Sequence, residues 1–209
     1  MNRNSLTGVV ATALLVLGAS GCAVNTLPPA TIQPSQTTSV DQYNYLIGPN
    51  DSVSIFVWRN PELSGTFLVR PDGKISTSLV EDIPVSGRTP TQLARELEKV
   101  LAKYIRDPVV TVSVGGFVGP FSEQVRIVGS EGKPQSFPYR QNMTALDLMI
   151  AAGGISEFAD GNGAKLVRVV NGQQQVYQLR LDDLIRDGDI SANVDILPGD
   201  VVIIPEAWF

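Results

Sequence analysis

The sequence predicts an α+β chain made of two small units, and three observations carry that reading. Apolar and β-branched residues alternate with period two over 52–58 and 109–114, as strands with one buried face require. Between these runs the period changes to 3.6, with Leu93, Leu97, Val100, Leu101 and Tyr104 spaced along one helical face. The stretch 115–120, with three glycines and a proline, then breaks the periodicity before strand and helix patterns resume, so it reads as an inter-domain hinge or a long loop.

The first unit starts at Tyr43. Ile47-Gly48-Pro49-Asn50-Asp51 is a turn cluster feeding a strand whose Val53, Ile55 and Val57 share one face, and Trp58 at its end reads as core. Pro71-Asp72-Gly73 is a tight turn between strands at 66–70 and 74–77. Thr89 caps the helix, Pro90 takes its first position and Gln92 completes a Thr-x-x-Gln capping box, while Asp107-Pro108 ends the segment. The strand at 109–114 closes the unit, which spans 43–114.

In the second unit, Val125 and Ile127 alternate in a strand at 123–129, and a short strand follows near Phe137. Thr144 caps a helix bearing Leu146, Met149 and Ile150, which Gly153-Gly154 stops. Asn171-Gly172 between strands at 165–170 and 173–179 is the strongest hairpin signal in the chain. Leu197-Pro198-Gly199-Asp200 turns into a buried strand ending at Pro205. A helix on a short mixed sheet suggests a β-grasp-like fold for 123–206.

Composition narrows the function. The chain has no histidine, which removes the usual general base near neutral pH and histidine metal sites, and no cofactor is expected. The 16 basic and 21 acidic residues argue against nucleic acid as a partner. Asp51, Asp72 and Asp200 sit in turns whose local hydrogen bonds explain them, with Glu62, Glu81 and Asp82 nearby in sequence. A glycosidase would need two of these carboxyl groups at a set separation, which a sequence does not supply. Gly115, Gly116 and Gly119 precede no Gly-Lys-Ser/Thr and form no phosphate loop. The helix start at Thr144 has anion-binding chemistry, but the cap is already a sufficient role.

The beginning of the chain resembles that of a bacterial lipoprotein. Arg3 precedes an apolar run at 9–17, which would span roughly 14 Å as a helix against ~30 Å of hydrocarbon, so it reads as an export signal. Small residues then lead to Cys22, the only cysteine, as the site of lipid attachment after removal of 1–21. Ala19 stands where leucine is the stronger choice; cleavage near Ala23 by the general signal peptidase and an unmodified thiol are the alternatives. With Ala23 rather than aspartate after the cysteine, the resemblance implies sorting to the outer membrane. Residues 22–42, rich in Thr, Ser, Pro and Gln, read as a flexible tether.

A second resemblance covers most of the folded chain. The turn at 47–51, Trp58, Asn60-Pro61-Glu62-Leu63-Ser64-Gly65, Arg70-Pro71-Asp72-Gly73-Lys74-Ile75, the capped helix and 104–112 together resemble the N-terminal domain of outer-membrane polysaccharide export proteins. The stretch 125–205 resembles the SLBB β-grasp domain that follows in that family. Asn50 stands where glycine is usual, and asparagine tolerates a left-handed backbone. The resemblance implies a lipid-anchored protein on the periplasmic face of the outer membrane. It further implies a homo-oligomeric ring that conducts a polysaccharide polymer, with an inner-membrane polysaccharide co-polymerase as partner.

Four residues follow Pro205, fewer than a spanning helix or strand needs, so a short form lacking the C-terminal membrane-spanning helix and docked to a separate outer-membrane β-barrel is expected. Trp208 and Phe209 are the partner-docking residues on this reading; packing back onto their own unit is the alternative. No catalytic and no metal-ligating residue is expected. A monomeric periplasmic lipoprotein whose β-grasp domain binds a sugar is the competing function.

Overall fold

In the computed structural model, which describes residues 27–30, 43–129 and 133–208, the first unit contains β1 (Ser52–Val57), β2 (Gly65–Leu68), β3 (Lys74–Ile75), β4 (Ile83–Pro84), α1 (Pro90–Leu101) and β5 (Val110–Gly115). β1 is the centre of a three-stranded antiparallel sheet, with β2 and β5 at its edges. Val53, Ile55 and Val57 point inward, and α1 covers them with Leu93, Ala94, Leu97 and Leu101. Burying each large aliphatic side chain contributes roughly 1.5–3 kcal/mol. β3 and β4 form a two-stranded ribbon whose Ile75 and Ile83 face the same core.

The capping box at Thr89 is complete: its hydroxyl accepts the Gln92 N–H at 3.2 Å, and the Gln92 side chain accepts the Thr89 N–H at 2.9 Å. The helix is shorter than its apolar period suggests. It ends at Leu101, and Tyr104 lies beyond the last turn, 57% exposed. Pro108 disfavours helical backbone at the residue before it, and Asp107 takes a positive φ of 48°.

The second unit contains β6 (Gln124–Gly129), β7 (Gln135–Pro138), α2 (Ala145–Ala152), β8 (Lys165–Val170), β9 (Gln173–Gln178), α3 (Leu181–Ile185) and β10 (Val201–Ile204). Its sheet runs β7-β6-β10-β8-β9, with β10 parallel to β6 and every other pair antiparallel. A last strand inserted in parallel beside the first, with a helix across the sheet, is the β-grasp arrangement. Asn171 and Gly172 both have positive φ, 53° and 77°, as the type I′ hairpin between β8 and β9 requires. α2 buries Ala145, Leu148 and Met149; Ile150 instead faces outward, 70% exposed. The helix has a capping box between Thr144 and Asp147 and ends at Gly153 in a left-handed conformation.

Two features depart from the sequence reading. α3 had no recognisable signal. The flexible tether expected over 22–42 does not hold at 27–30: the Gln178 N–H donates to the Pro28 carbonyl at 2.9 Å, Pro29 bridges Gln178 in parallel, and Ala30 is buried in the second core. The reason is tertiary. β9 is an edge strand with open backbone groups, and a short extended segment satisfies one of them. Among the described residues no helix is long and apolar enough to cross a membrane.

Candidate functional site

The junction between the units is organised by one carboxylate. Asp51 ends the 47–51 turn, in which Asn50 holds the left-handed φ of 71° that its side chain tolerates. Asp51 is fully buried. Its Oδ2 accepts the Gly48 N–H at 2.8 Å and the Tyr45 hydroxyl at 2.5 Å; its Oδ1 accepts the Val118 and Gly119 N–H groups at 2.7 and 3.3 Å. The loop at 115–120 is therefore bound along its backbone to the first unit. The approach is close enough to require glycine: a Cβ on Gly48 would lie 2.0 Å from the Gly119 carbonyl carbon.

Aromatic rings line the same junction. Tyr43 meets Tyr139 of the second unit edge-on at 4.9 Å, and Tyr45 meets Phe117 at 5.6 Å and 84°. Burial, and then the neighbouring Glu123 carboxylate to which it is hydrogen-bonded, push the Tyr43 phenol up to about 12. Burial also raises Tyr45, reinforced by its bond to Asp51, and raises the Glu123 carboxyl, which the Tyr43 hydrogen bond partly offsets. Beside these rings lies a cavity of about 460 Å³ bordered by Tyr45, Gly116, Phe117, Pro138, Tyr139, Arg140 and Gln141. A second cavity of about 310 Å³ shares Pro138, Arg140 and Gln141 and extends to Asp147.

The remaining turn carboxylates are occupied structurally. Asp200 is buried and takes a two-pronged ion pair from Arg168, Nε to Oδ1 at 2.9 Å and Nη2 to Oδ2 at 2.7 Å, while Oδ2 also accepts the Leu197 N–H at 2.7 Å. Arg70 binds both Asp72 and Asp82, the latter at 2.7 Å, and its hydrogen bond holds the Asp72 carboxyl below the usual range. These aspartates serve turns and ion pairs, not an acid–base couple. Among the described residues, no group of three acidic, cysteine or histidine side chains is placed to hold a metal ion.

The outer face of the first sheet is uncharged and partly apolar. Phe56 and Trp58 pack edge-to-face at 6.3 Å, 52% and 56% exposed, beside Thr66, Leu68, Val109, Thr111 and Ser113. The Ser54 and Thr66 hydroxyls are hydrogen-bonded across β1 and β2 at 2.8 Å. Trp58 is thus not core. The alternation that buries Val57 turns the next side chain outward.

Comparison with known proteins follows this division. The family model described as polysaccharide biosynthesis/export protein matches residues 39–115, and the SLBB domain model matches 123–204. Together the two matches take in most of the chain, as a polysaccharide biosynthesis/export domain followed by an SLBB domain. Its relatives include the EPS I polysaccharide export outer membrane protein EpsA of Ralstonia solanacearum, 28% identical over 81% of this chain and 51% of the relative. The exopolysaccharide production protein ExoF of Rhizobium meliloti is 29% identical over 59% of this chain and 31% of its own. The Vi polysaccharide export protein VexA/TviF of Salmonella typhi is 30% identical over 56% and 31%, respectively. The chain spans about half the length of EpsA and about a third of the other two.

Of the residues that the sequence singled out, Cys22 and Phe209 lie outside the described residues. Trp208 is 99% exposed and does not pack back onto the β-grasp unit, although the preceding Ala207 N–H donates to the Phe158 carbonyl at 2.8 Å. The structure does not bring Trp208 together with the junction cavities. Phe117, which borders the larger cavity, and Arg140, which borders both, went unnoticed in the sequence. A bulky aromatic inside a Gly-Gly-x-x-Gly-Pro break was the available signal for Phe117; Arg140 had none.

Proposed function

We propose that this chain is a component of a machine that exports an extracellular or capsular polysaccharide at the outer membrane. The observation that carries the reading is the order of its two units, an export-family domain followed directly by an SLBB domain with the connecting loop bonded to Asp51. It is a transport component, not an enzyme. In the finer reading, Cys22 carries lipid that holds the protein on the periplasmic face. Copies of the chain assemble into a closed ring. The ring receives polymer from an inner-membrane co-polymerase, passes it to a separate outer-membrane β-barrel, and uses Trp208 and Phe209 for docking. The names of the relatives support the polymer class, and the lipoprotein-like start supports the anchor.

Deleting the gene and assaying polysaccharide in the medium and in the periplasm tests this directly. Export function predicts loss from the medium that the intact gene restores. Unchanged secretion would overturn it. Cys22→Ala tests the anchor through the share of protein in the membrane fraction, and native mass of the detergent-extracted protein tests the ring. The junction cavity favours one second reading, a monomeric sugar-binding lipoprotein. A strictly monomeric mass combined with normal secretion in the deletion strain would support it instead.

A further inference from the structure

The larger of the two adjoining cavities at the junction has walls suited to one kind of ligand. Tyr45 and Phe117 present rings at right angles, and the faces and edges of such rings accept the apolar C–H surfaces of a pyranose. Phe117 is 56% exposed and sits at φ 48°, a backbone region that bulky side chains seldom enter. The N–H groups of the next two residues, Val118 and Gly119, hold that conformation through Asp51, so the ring is fixed toward the cleft. Arg140 is the only charged side chain bordering the larger cavity. It is exposed, and among the described residues its guanidinium has no hydrogen-bond or ion-pair partner.

We propose that this cleft binds an acidic sugar residue, with the ring against Phe117 and Tyr45 and the carboxylate on Arg140. The guanidinium fork matches a carboxylate in two parallel hydrogen bonds. The larger cavity, about 460 Å³, falls in the size range of small-molecule sites and takes one or two sugar units. An exposed arginine gives a weak, reversible contact, which a moving polymer needs. The proposal rests on the export reading and adds the charge class of the cargo and the place where it is held.

The test is calorimetric titration of the full chain with tetragalacturonate and with neutral maltotetraose at low salt. Tetragalacturonate binds saturably and roughly tenfold or more tighter than maltotetraose, and Arg140→Gln erases the difference. Phe117→Gly, which relieves the positive φ and so keeps the fold, weakens both ligands; its thermal unfolding verifies folding. Lys99→Gln, on the exposed side of α1, changes neither. Absent saturation, equal affinity for the two probes, or an unaltered Arg140→Gln variant overturns the proposal. So does an Arg140→Gln variant that changes native mass without changing binding, since the cleft would then be a contact between copies. A strain in which gene deletion stops secretion, while the cleft binds neither probe, leaves the export reading standing and removes this one alone.

Discussion

The Asp51 carboxylate accepts the N–H of Val118, 67 positions along the chain, at 2.7 Å. A turn of the first unit thereby holds the loop that opens the second, through a carboxylate that is itself fully buried.

Replacing Asp51 with alanine removes the acceptor for the Tyr45 hydroxyl and for the Gly48, Val118 and Gly119 N–H groups together. The expected loss is about 3–5 kcal/mol, because buried donors left unpaired carry their full desolvation cost. Urea unfolding followed by tryptophan fluorescence measures it. A loss below about 1 kcal/mol would show that the carboxylate does not tie the units.

Arg168 and Asp200 behave as a unit. Arg168→Met strands a buried carboxylate and costs about 3–5 kcal/mol, whereas Arg168→Met combined with Asp200→Leu costs less than the sum of the two single changes. A double-mutant cycle in urea reads the coupling, and strict additivity would contradict it. Part of the Asp200→Leu loss remains uncoupled, since that side chain also accepts the Leu197 N–H.

The phenols at the junction make the fold sensitive to alkali. Tyr43 ionises at about 12 in the folded chain, against about 10 for a free tyrosine, and Tyr45 is also raised. The unfolded chain therefore loses these protons first as pH climbs. Their stabilising contribution is complete below about pH 10 and is lost as pH rises through the folded values. Absorbance at 295 nm should show a late-titrating fraction that shrinks in Tyr43→Phe, together with a smaller fall in melting temperature between pH 9 and 11 for that variant. An unchanged late fraction would refute the assignment.

The inward and outward sides of β1 should separate stability from surface function. Ile55→Ala is expected to cost about 2–4 kcal/mol, while Phe56→Ala and Trp58→Ala each cost under about 1 kcal/mol. Thermal unfolding distinguishes them. A large loss at Trp58 would mean that the exposed pair is part of the fold's support.

Local chemistry was the legible part of the sequence. The Thr-x-x-Gln box, the Asn-Gly hairpin and the Val53-Ile55-Val57 alternation each act over a few residues, and each produced the element that it implied. Trp58 was misread although strand parity contained the answer, because hydrophobicity was given more weight than position. Asp51 was recognised as a turn residue, but half of its hydrogen bonds come from a loop that only tertiary folding brings near. The cleft draws Tyr45, Phe117 and Arg140 from three separated stretches, with no periodicity linking them. α3, five residues long, is too short for a helical period to emerge.

The seating of residues 27–30 on the rim of β9 changes the geometry of any membrane anchor. Five steps separate Cys22 from Leu27, a maximum of about 18 Å when drawn straight. A lipidated Cys22 would then hold the β-grasp unit close to the headgroups, with the β9 rim turned toward them. Sideways growth of that sheet would be left to the opposite rim at β7. The leash would set orientation as well as distance.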